Sequence, residues 1–332
     1  MTGAIAKPIL VTGAAGFIGS RFVESCNKKG IAVISVDKPE FFESRKEMKS
    51  VDFGEVVAID GLSHWLKERT ESLTNAPISA VIHMGACSDT TEMNVEFLTK
   101  NNVEFSQMLW RYCAELKIPF VYASSAATYG EGELGYEDDE ALLSKLHPLN
   151  PYGESKKTFD EWVIQEEKNG KAPPVWSGFK FFNVYGFGEG HKGKMASVVW
   201  HAFQQIKDKG IVKLFESHKD GIADGEQKRD FVYVGDVVSV LHFALNQPLV
   251  RGIYNLGTGK ARSFLDLARS AFKAMATEDL IEFIPTPLEL RERYQYFTQA
   301  EMQKLRQAGY TAPFTELEAG VKEYIERLNR RS

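Results

Sequence analysis

A short apolar segment followed at once by three evenly spaced glycines constrains the fold of this chain more than any other feature. Ile9 to Val11 have the pattern of a buried strand, and TGAAGFIGS then places Gly13, Gly16 and Gly19 ahead of an apolar stripe with helical spacing. In this order the glycines permit a tight turn, close approach of a pyrophosphate and close helix packing. The stretch therefore predicts a dinucleotide-binding turn.

The end of the next strand leaves the choice of dinucleotide open. IAVISVD ends at Asp37, about 20 residues after the turn, where an acid can bind a ribose hydroxyl and favours NAD. Lys38 follows directly, and Arg45, Lys46 and Lys49 lie in the next loop, where they could neutralise the 2'-phosphate of NADP or simply be solvated. The sequence predicts a nicotinamide cofactor without deciding between the two.

Strand and helix patterns continue to alternate after the glycine turn. EVVAI, SAVIHMGACS and IPFVYASS are short apolar runs separated by helical patterns, including a long one from about Asn94 to Leu116. This alternation predicts an α/β fold with a Rossmann-type doubly wound parallel sheet. Ligands of such sheets gather at the carboxyl ends of the strands, so Gly85 to Ser88 should contact the cofactor. We interpret His83, inside its apolar run, as a core histidine.

Three side chains between Ile118 and Lys156 predict a proton-handling site. Ser125 lies at the carboxyl end of an apolar strand, and PYGESKKTFDEWV begins a helix on which Tyr152 and Lys156 share one face. An ammonium near a tyrosine favours the phenolate and lowers the tyrosine pKa. A serine hydroxyl beside the pair can hold the alcohol of a substrate.

Composition excludes several classes of partner. The net charge is -5 without long blocks of one sign, so neither nucleic acid nor an anionic membrane surface is expected. Three scattered cysteines without a C-x-x-C motif argue against a disulfide framework and a thiolate metal site, and favour a reducing cytosol. MTGAIAKPIL has no targeting or membrane-spanning pattern. We therefore expect a cytoplasmic protein without a metal.

The second half of the chain has a looser pattern. NVYGFGEGHKGKM is a glycine-rich basic loop that could grip a ligand or be merely exposed, and Arg229 could contact a phosphate through two hydrogen bonds. Helical patterns cover about 195–207, 264–275, 299–308 and 315–328. We predict a Rossmann domain from 1–183 with 230–257, and a smaller α/β substrate domain from 184–229 with 258–330.

Several motifs together carry a resemblance to a known family. TGAAGFIG, ASSAATYG, PYGESK, FFNVYG, RDFVYVGD and NLGTG resemble an extended short-chain dehydrogenase/reductase that acts on a nucleotide-activated sugar. HMGACSDTTE, the EGHKGKMASV loop and RYQYFTQAE are more specific, and are similar to the ADP-L-glycero-D-manno-heptose 6-epimerases of lipopolysaccharide core precursor synthesis.

That resemblance implies a redox-neutral epimerisation at carbon 6 of the heptose through a transient 6-keto sugar. Tyr152 and Lys192 would be the two acid/base residues, with Ser125 assisting Tyr152 and Lys156 tuning it. The implied cofactor is NADP, and the implied assembly is a homo-oligomer, a pentamer in some members. The implied cofactor contacts, with those of the glycine turn, are Gly13, Gly16, Phe17, Ile18, Gly19, Asp37, Lys38, Met84, Gly85, Ala86, Cys87, Ser88, Asn101, Lys156 and Val184. The implied substrate contacts are Asn183, Lys194, His201, Phe215, Glu216, Ser217, His218, Arg229 and Tyr294.

The chain differs from the family pattern at three places. Lys194 stands where a serine is usual, Met84 replaces an acid before GACS, and residues 219–227 lengthen the loop before Arg229. Two other functions share the main motifs. A 4-epimerase of another nucleotide sugar would use Tyr152 and Lys156 without Lys192, and a non-catalytic NADP-binding regulator would have no need of the Ser125, Tyr152 and Lys156 set.

Overall fold

The protein, seen here as a computed structural model, forms two compact units. The structure describes residues 7–72, 78–246, 251–291 and 294–330. The first unit draws its described residues from Met1–Gly130, Asp138–Lys180 and Val238–Tyr254, and the second from Glu131–Glu137, Phe181–Val237 and Asn255–Ser332. The division predicted from the sequence assigns 131–137, 181–183, 230–237 and 255–257 to the first domain, whereas these residues belong to the second unit.

Strands and helices alternate along most of the described chain. The strands are β1 (Ile9–Thr12), β2 (Val33–Asp37), β3 (Glu55–Ala58), β4 (Ala80–His83), β5 (Phe120–Ser125), β6 (Trp176–Phe181), β7 (Asn183–Tyr185), β8 (Val212–Phe215), β9 (Lys228–Tyr233), β10 (Gly252–Leu256), β11 (Ala261–Ser263) and β12 (Ile281–Ile284). The α-helices are α1 (Phe17–Lys28), α2 (Pro39–Ser44), α3 (Leu62–Ser72), α4 (Val95–Leu98), α5 (Phe105–Leu116), α6 (Pro151–Lys168), α7 (Val198–Lys209), α8 (Val234–Asn246), α9 (Phe264–Ala274), α10 (Leu288–Arg291), α11 (Gln303–Gln307) and α12 (Leu317–Asn329).

A seven-stranded sheet, ordered β10-β6-β5-β4-β1-β2-β3, forms the centre of the first unit. β1 pairs in parallel with both β2 and β4, β2 with β3, and β4 with β5. The chain order therefore reverses on the two sides of β1, which creates a crevice at the carboxyl ends of β1 and β4. This arrangement confirms the predicted Rossmann-type doubly wound fold.

Local sequence explains why the key elements of the first unit begin where they do. All four residues of β1 are buried, as an apolar strand covered on both faces must be. α6 begins immediately before Tyr152 because Pro151 occupies its first turn and the Asn150 side chain accepts a hydrogen bond from the Gly153 N–H at 2.8 Å. The Asn150 cap and Pro151 together place Tyr152 in the first turn of the helix.

The second unit contains two small sheets and the helices that pack on them. β9 pairs antiparallel with β11 and parallel with β7, and β12 pairs in parallel with β8. The helix predicted over 299–308 is wrong at its start, since α11 begins at Gln303. The residues before it are held outside a helix because the Ala300 N–H donates to the buried Asp230 carboxylate at 3.0 Å.

Two sequence predictions on these elements need comment. The predicted helix 62–73 is present as α3, and its last residue, Leu73, lies outside the described residues. Each helix within the described ranges is too short or too polar to cross a lipid bilayer.

Candidate active site

The glycine turn is packed so tightly against the loop after β4 that side chains are excluded. Gly13 has φ +64°, and a Cβ there would lie 2.7 Å from the Gly85 nitrogen. A Cβ on Gly19 would lie 2.1 Å from the Gly13 carbonyl oxygen. Phe17 and Ile18 follow Gly16 as the first two residues of α1, at the helix N-terminus, which favours an anion. The turn therefore fits the pyrophosphate of a dinucleotide.

Asp37 joins the end of β2 to the same turn. Its carboxylate accepts hydrogen bonds from the Ala15 N–H at 3.0 Å and the Lys38 N–H at 2.9 Å. Burial raises the pKa of Asp37, while these amides and the Arg45 guanidinium oppose the rise. Arg45 is itself buried and donates to the Ala15 carbonyl, whereas Lys38 is exposed. The side chain of Lys46, the next basic residue, lies outside the described residues.

The loop after β4 is fixed by an asparagine that the sequence analysis missed. Asn102 is fully buried, accepts a hydrogen bond from the Cys87 N–H at 2.8 Å and donates to the Cys87 carbonyl at 3.0 Å. It also donates to the Ser155 hydroxyl on α6 at 3.0 Å. Asn102 lies in a π-helical turn, Thr99–Glu104, between α4 and α5. Among the predicted cofactor contacts nearby, Met84, Gly85, Ala86 and Cys87 are half-buried, Ser88 is exposed, and Asn101 donates to the Phe97 carbonyl at 2.7 Å.

His83 is the core histidine that the sequence predicted. Its ring nitrogens contact the Thr12 hydroxyl at 2.6 Å and the Ser106 hydroxyl at 2.8 Å. Burial, with a smaller effect of Lys156, lowers the pKa of His83 to about 3. The neutral imidazole is hydrogen-bonded at both of its nitrogens inside the sheet, so neither nitrogen is available for chemistry.

Ser125, Tyr152 and Lys156 converge at the end of β5 and the start of α6. The Ser125 Oγ accepts a hydrogen bond from the Ala127 N–H at 3.1 Å, and Ser125 lies near enough to Tyr152 to act on the pKa of its phenol. Lys156 Nζ donates to the Ala123 carbonyl at 2.8 Å. The structure thus gathers the three side chains into one site.

The direction of the Tyr152 pKa shift corrects the sequence prediction. Burial raises the pKa of Tyr152, and the hydrogen bond with Ser125 offsets only part of that rise. Burial also lowers the pKa of Lys156 to about 8, although the Asp160 carboxylate opposes the fall. The predicted lowering of the Tyr152 pKa by Lys156 is wrong in this structure, because the phenol is removed from water and the ammonium is bonded to a backbone carbonyl.

In the second unit, Lys192 lies in a short 3-10 turn, Gly190–Met195. One buried carboxylate holds the two ends of this turn together. Glu189 is fully buried and accepts hydrogen bonds from the Ser197 N–H and hydroxyl, both at 2.6 Å, and from the Gly186 N–H at 3.2 Å. Burial lowers the pKa of Lys192, and Glu189 opposes the fall. Lys194 on the same turn is exposed, and His201 on α7 is half-buried.

Aromatic side chains surround Arg229 in the second unit. The guanidinium lies 5.6 Å from the ring centroids of both Tyr294 and Phe264, and it donates to the carbonyls of Lys228 and Gln295. The His218 ring contacts the Tyr296 hydroxyl at 2.8 Å, which adds Tyr296 to the predicted set. Phe215 packs edge-on against Tyr294, with ring centroids 6.4 Å apart.

The remaining predicted substrate and cofactor contacts lie on or beside the strands β7 and β8 of the second unit. Glu216 follows β8, and its backbone carbonyl accepts a hydrogen bond from the Thr286 hydroxyl at 2.8 Å. The Ser217 N–H donates to the Asp224 carboxylate at 2.7 Å. Asn183 is exposed on β7, and Val184 beside it is half-buried. Within the described ranges, no group of three or more His, Cys, Asp or Glu side chains is arranged to hold a metal.

Comparisons with known proteins agree with this arrangement. The model of the NAD dependent epimerase/dehydratase family matches residues 9–257. An ADP-L-glycero-D-manno-heptose-6-epimerase of Fusobacterium nucleatum is 48% identical over 329 residues, covering 96% of this chain and 97% of that protein. One from Nitratidesulfovibrio vulgaris is 45% identical over 319 residues, covering 96% and 97%.

A solved structure extends the similarity to three dimensions. The crystal structure of the Helicobacter pylori ADP-L-glycero-D-manno-heptose-6-epimerase is 29% identical, with a TM-score of 0.78 and coverage of 98% of this chain and 96% of that one. The chain therefore belongs to the NAD dependent epimerase/dehydratase family.

Proposed function

We propose that this protein inverts carbon 6 of ADP-D-glycero-D-manno-heptose to give ADP-L-glycero-D-manno-heptose, a step in the synthesis of lipopolysaccharide core precursors. The similarity of nearly the whole chain to heptose 6-epimerases carries this proposal. The gathered Ser125, Tyr152 and Lys156 supply the proton-handling groups that such a reaction needs. From the family resemblance we also propose a cytoplasmic homo-oligomer, a pentamer, which light scattering of the purified protein tests.

The glycine turn and Asp37 would hold the nicotinamide dinucleotide, with Lys156 near its nicotinamide ribose. When bound, this cofactor supplies an acceptor for the hydride of carbon 6 and returns it to the opposite face, so the reaction is redox-neutral. The residues of the chain must then move one proton off and one proton onto the 6-oxygen. They must also hold the transient ketone and exclude water from it.

Tyr152 and Lys192 divide the proton transfers. Burial raises the pKa of Tyr152 and lowers the pKa of Lys192, so the first holds its proton more firmly and the second releases its proton more readily than in water. Groups whose pKa values are pushed apart in this way suit an acid and a base. In the forward direction Lys192 accepts the hydroxyl proton, and Tyr152, assisted by Ser125, donates a proton to the ketone oxygen after hydride return.

Direct turnover tests the proposed function. We expect purified protein to convert ADP-D-glycero-D-manno-heptose to an equilibrium mixture of the two heptose epimers, which NMR of the sugar resolves. UDP-hexoses serve as the matched control, because a 4-epimerase would interconvert them. Turnover at carbon 4 of a UDP-hexose, with the heptose left unchanged, would replace the 6-epimerase with a 4-epimerase.

We further propose that the cofactor is NADP and that Lys38 pairs with its 2'-phosphate. The Asp37 carboxylate already accepts two backbone hydrogen bonds, while the Lys38 side chain is exposed next to it. We expect Lys38→Ala to weaken NADP binding about fivefold, the upper range for an exposed ion pair, and to leave NAD binding nearly unchanged. Titration calorimetry with both cofactors measures the difference.

The control for Lys38 is another exposed lysine of the first unit. Lys28 at the end of α1 has a side chain that is 72% exposed, so Lys28→Ala should alter neither affinity. Equal weakening of NADP and NAD by Lys38→Ala, or NAD alone in an extract of the denatured protein, would remove Lys38 from a phosphate site.

Arg229 is proposed to bind the diphosphate of the nucleotide sugar. Its guanidinium is buried and oriented by two carbonyls and two rings, and an arginine has five N–H donors, so others are left for a ligand. We expect Arg229→Ala to cost about 1.5 to 3 kcal/mol of substrate binding, the range for hydrogen bonds to charged groups. Arg229→Lys, which keeps the charge but not the planar fork, should recover only part of it. Loss of cofactor with unchanged substrate affinity would place Arg229 elsewhere.

A further inference from the structure

A fully buried ion pair lies behind the Ser125, Tyr152 and Lys156 site. Asp160 on α6 and Lys180 on β6 have side chains that are 0% and 1% exposed, and the Lys180 Nζ lies 2.6 Å from the Asp160 Oδ2. Two further donors complete the shell of the carboxylate, the Tyr122 hydroxyl at 2.9 Å and the Ser124 hydroxyl at 2.7 Å. Three donors at such distances satisfy the oxygens of a carboxylate that has been removed from water.

This pair is connected to each part of the site. Ser124 precedes Ser125 on β5, and Lys180 also donates to the Thr128 hydroxyl at 2.7 Å. The Thr128 hydroxyl in turn donates to the Ser125 carbonyl at 2.8 Å. Asp160 follows Lys156 by four residues on α6, so both project from one face of the helix. Hydrogen bonds thus tie the end of β5 to the helix that carries Tyr152 and Lys156.

The groups around Lys156 come from several elements and differ in charge. On its own helix are Tyr152 and Asp160, and on β4 and its loop are His83 and Cys87, while Tyr122 on β5 and Lys180 on β6 contact Asp160. Burial raises the pKa of the two tyrosines and of Cys87, and lowers the pKa of His83 to about 3, so these four are neutral near pH 7. Asp160 is the carboxylate that favours the charged form of Lys156.

We propose that Asp160, held in place by Lys180, is a positioning residue of the reaction: it sets a carboxylate one helical turn from Lys156 and fixes Ser125 relative to α6. The inference rests on the proposed function for the catalytic role of Lys156, while the charge effect itself does not. An ion pair that stabilised the fold but did not act on Lys156 would leave the titration of Lys156 unchanged. The proton equilibrium of Lys156 therefore separates the two roles.

The test follows Lys156 by NMR of protein labelled with 13C at the lysine ε-carbons, with its signal assigned by its loss in Lys156→Met. Burial lowers the pKa of Lys156 to about 8 and Asp160 opposes that fall, so loss of the carboxylate charge removes the opposing effect. We expect Asp160→Asn to shift the Lys156 titration to lower pH by about one unit or more. The alkaline decline of epimerase activity should move in the same direction by a similar amount.

Matched variants separate the charge effect from a loss of packing. Tyr122→Phe removes one hydrogen bond to the same carboxylate but keeps its charge, so the Lys156 titration should stay in place. Lys180→Arg keeps both charges and should also leave it in place. Because Asp160→Asn leaves Lys180 buried without its anion and can fail to fold, the double variant Asp160→Asn/Lys180→Met provides a second measurement. Its expected shift is also to lower pH but smaller, because loss of the Lys180 charge offsets part of the loss of the carboxylate charge.

The outcomes distinguish this inference from the proposed function. An unmoved Lys156 titration in both Asp160 variants, with normal heptose turnover by the parent protein, overturns the inference and leaves the function standing. A shifted titration in a protein that does not turn over the heptose supports the inference and overturns the function. A shift of the same size in Tyr122→Phe would show that packing rather than charge is responsible, and would also overturn it.

Discussion

Tyr152→Phe is expected to lower the rate of heptose epimerisation by about 10² to 10⁴, the contribution of a positioned acid/base group. Tyr152 lies beside Ser125, and burial raises the pKa of its phenol so that it holds a proton to donate. Phenylalanine keeps the ring in its buried place, so the fold and cofactor affinity should be retained. Initial rates followed by NMR of the sugar, with calorimetric cofactor binding on the same samples, measure both.

A second tyrosine provides the control for this variant. Tyr112 on α5 is half-buried, and its hydroxyl contacts the Thr70 hydroxyl at 3.2 Å. Tyr112→Phe removes a comparable hydroxyl away from Ser125 and Lys156, and its rate should remain near that of the parent. If Tyr152→Phe also epimerises near the parent rate, proton donation must come from another group and the assignment of Tyr152 is wrong.

The parts of the site that could be predicted from sequence are those that local rules determine. A buried strand, three spaced glycines and an apolar helical stripe are sufficient for the β1 turn, because the turn needs a positive φ at Gly13 that glycine readily adopts. Tyr152 and Lys156 share a helix face because of their four-residue spacing, and the Asn150 cap with Pro151 sets where that helix starts. Each of these features needs only a few consecutive residues.

The parts that could not be predicted depend on partners distant in the chain. Lys180 reads as a polar residue in a strand and Asp160 as a solvated helix residue, and only the fold brings the two together and removes both from water. The one available signal was the spacing of Asp160 four residues after Lys156. The π-helical turn at Thr99–Glu104 could not be predicted from the helical pattern of the sequence either. Its Asn102 is hydrogen-bonded to Cys87, 15 residues earlier in the chain.

The same reasoning applies to the loop that carries Lys192. EGHKGKM belongs to a stretch interpreted as a basic loop that could grip a ligand or be merely exposed, since glycines and charges dominate it. Glu189 within it is instead fully buried, and its contacts with Gly186 and Ser197 close both ends of the loop. Such a closed loop fixes the backbone that carries Lys192 before substrate arrives, which is consistent with the chemical role proposed for Lys192.

Lys192→Met is accordingly expected to lose epimerisation by about 10² or more while remaining folded and able to bind cofactor. Methionine keeps much of the length of the side chain but cannot accept or donate the proton that the second face of the carbon requires. One half-reaction stays chemically possible in this variant. A substrate analogue supplied as a mixture of its oxidised and reduced forms should therefore still be interconverted, provided that its reaction uses only one face of the carbon. The measurements are initial epimerisation rates and this half-reaction, both by NMR.

Lys207→Met supplies the comparison for Lys192, since Lys207 is an exposed lysine on α7 of the same unit and its loss should leave the rate unchanged. Burial lowers the pKa of Lys192, so its neutral amine, the form that accepts a proton, becomes available at a lower pH than for an ordinary lysine. The acidic limb of the rate profile should therefore disappear from whatever activity Lys192→Met retains. Near-normal epimerisation by Lys192→Met, with the acidic limb of the rate profile intact, would contradict this assignment. It would show that Tyr152 alone transfers both protons and that the ketone rotates in the site between the two hydride transfers.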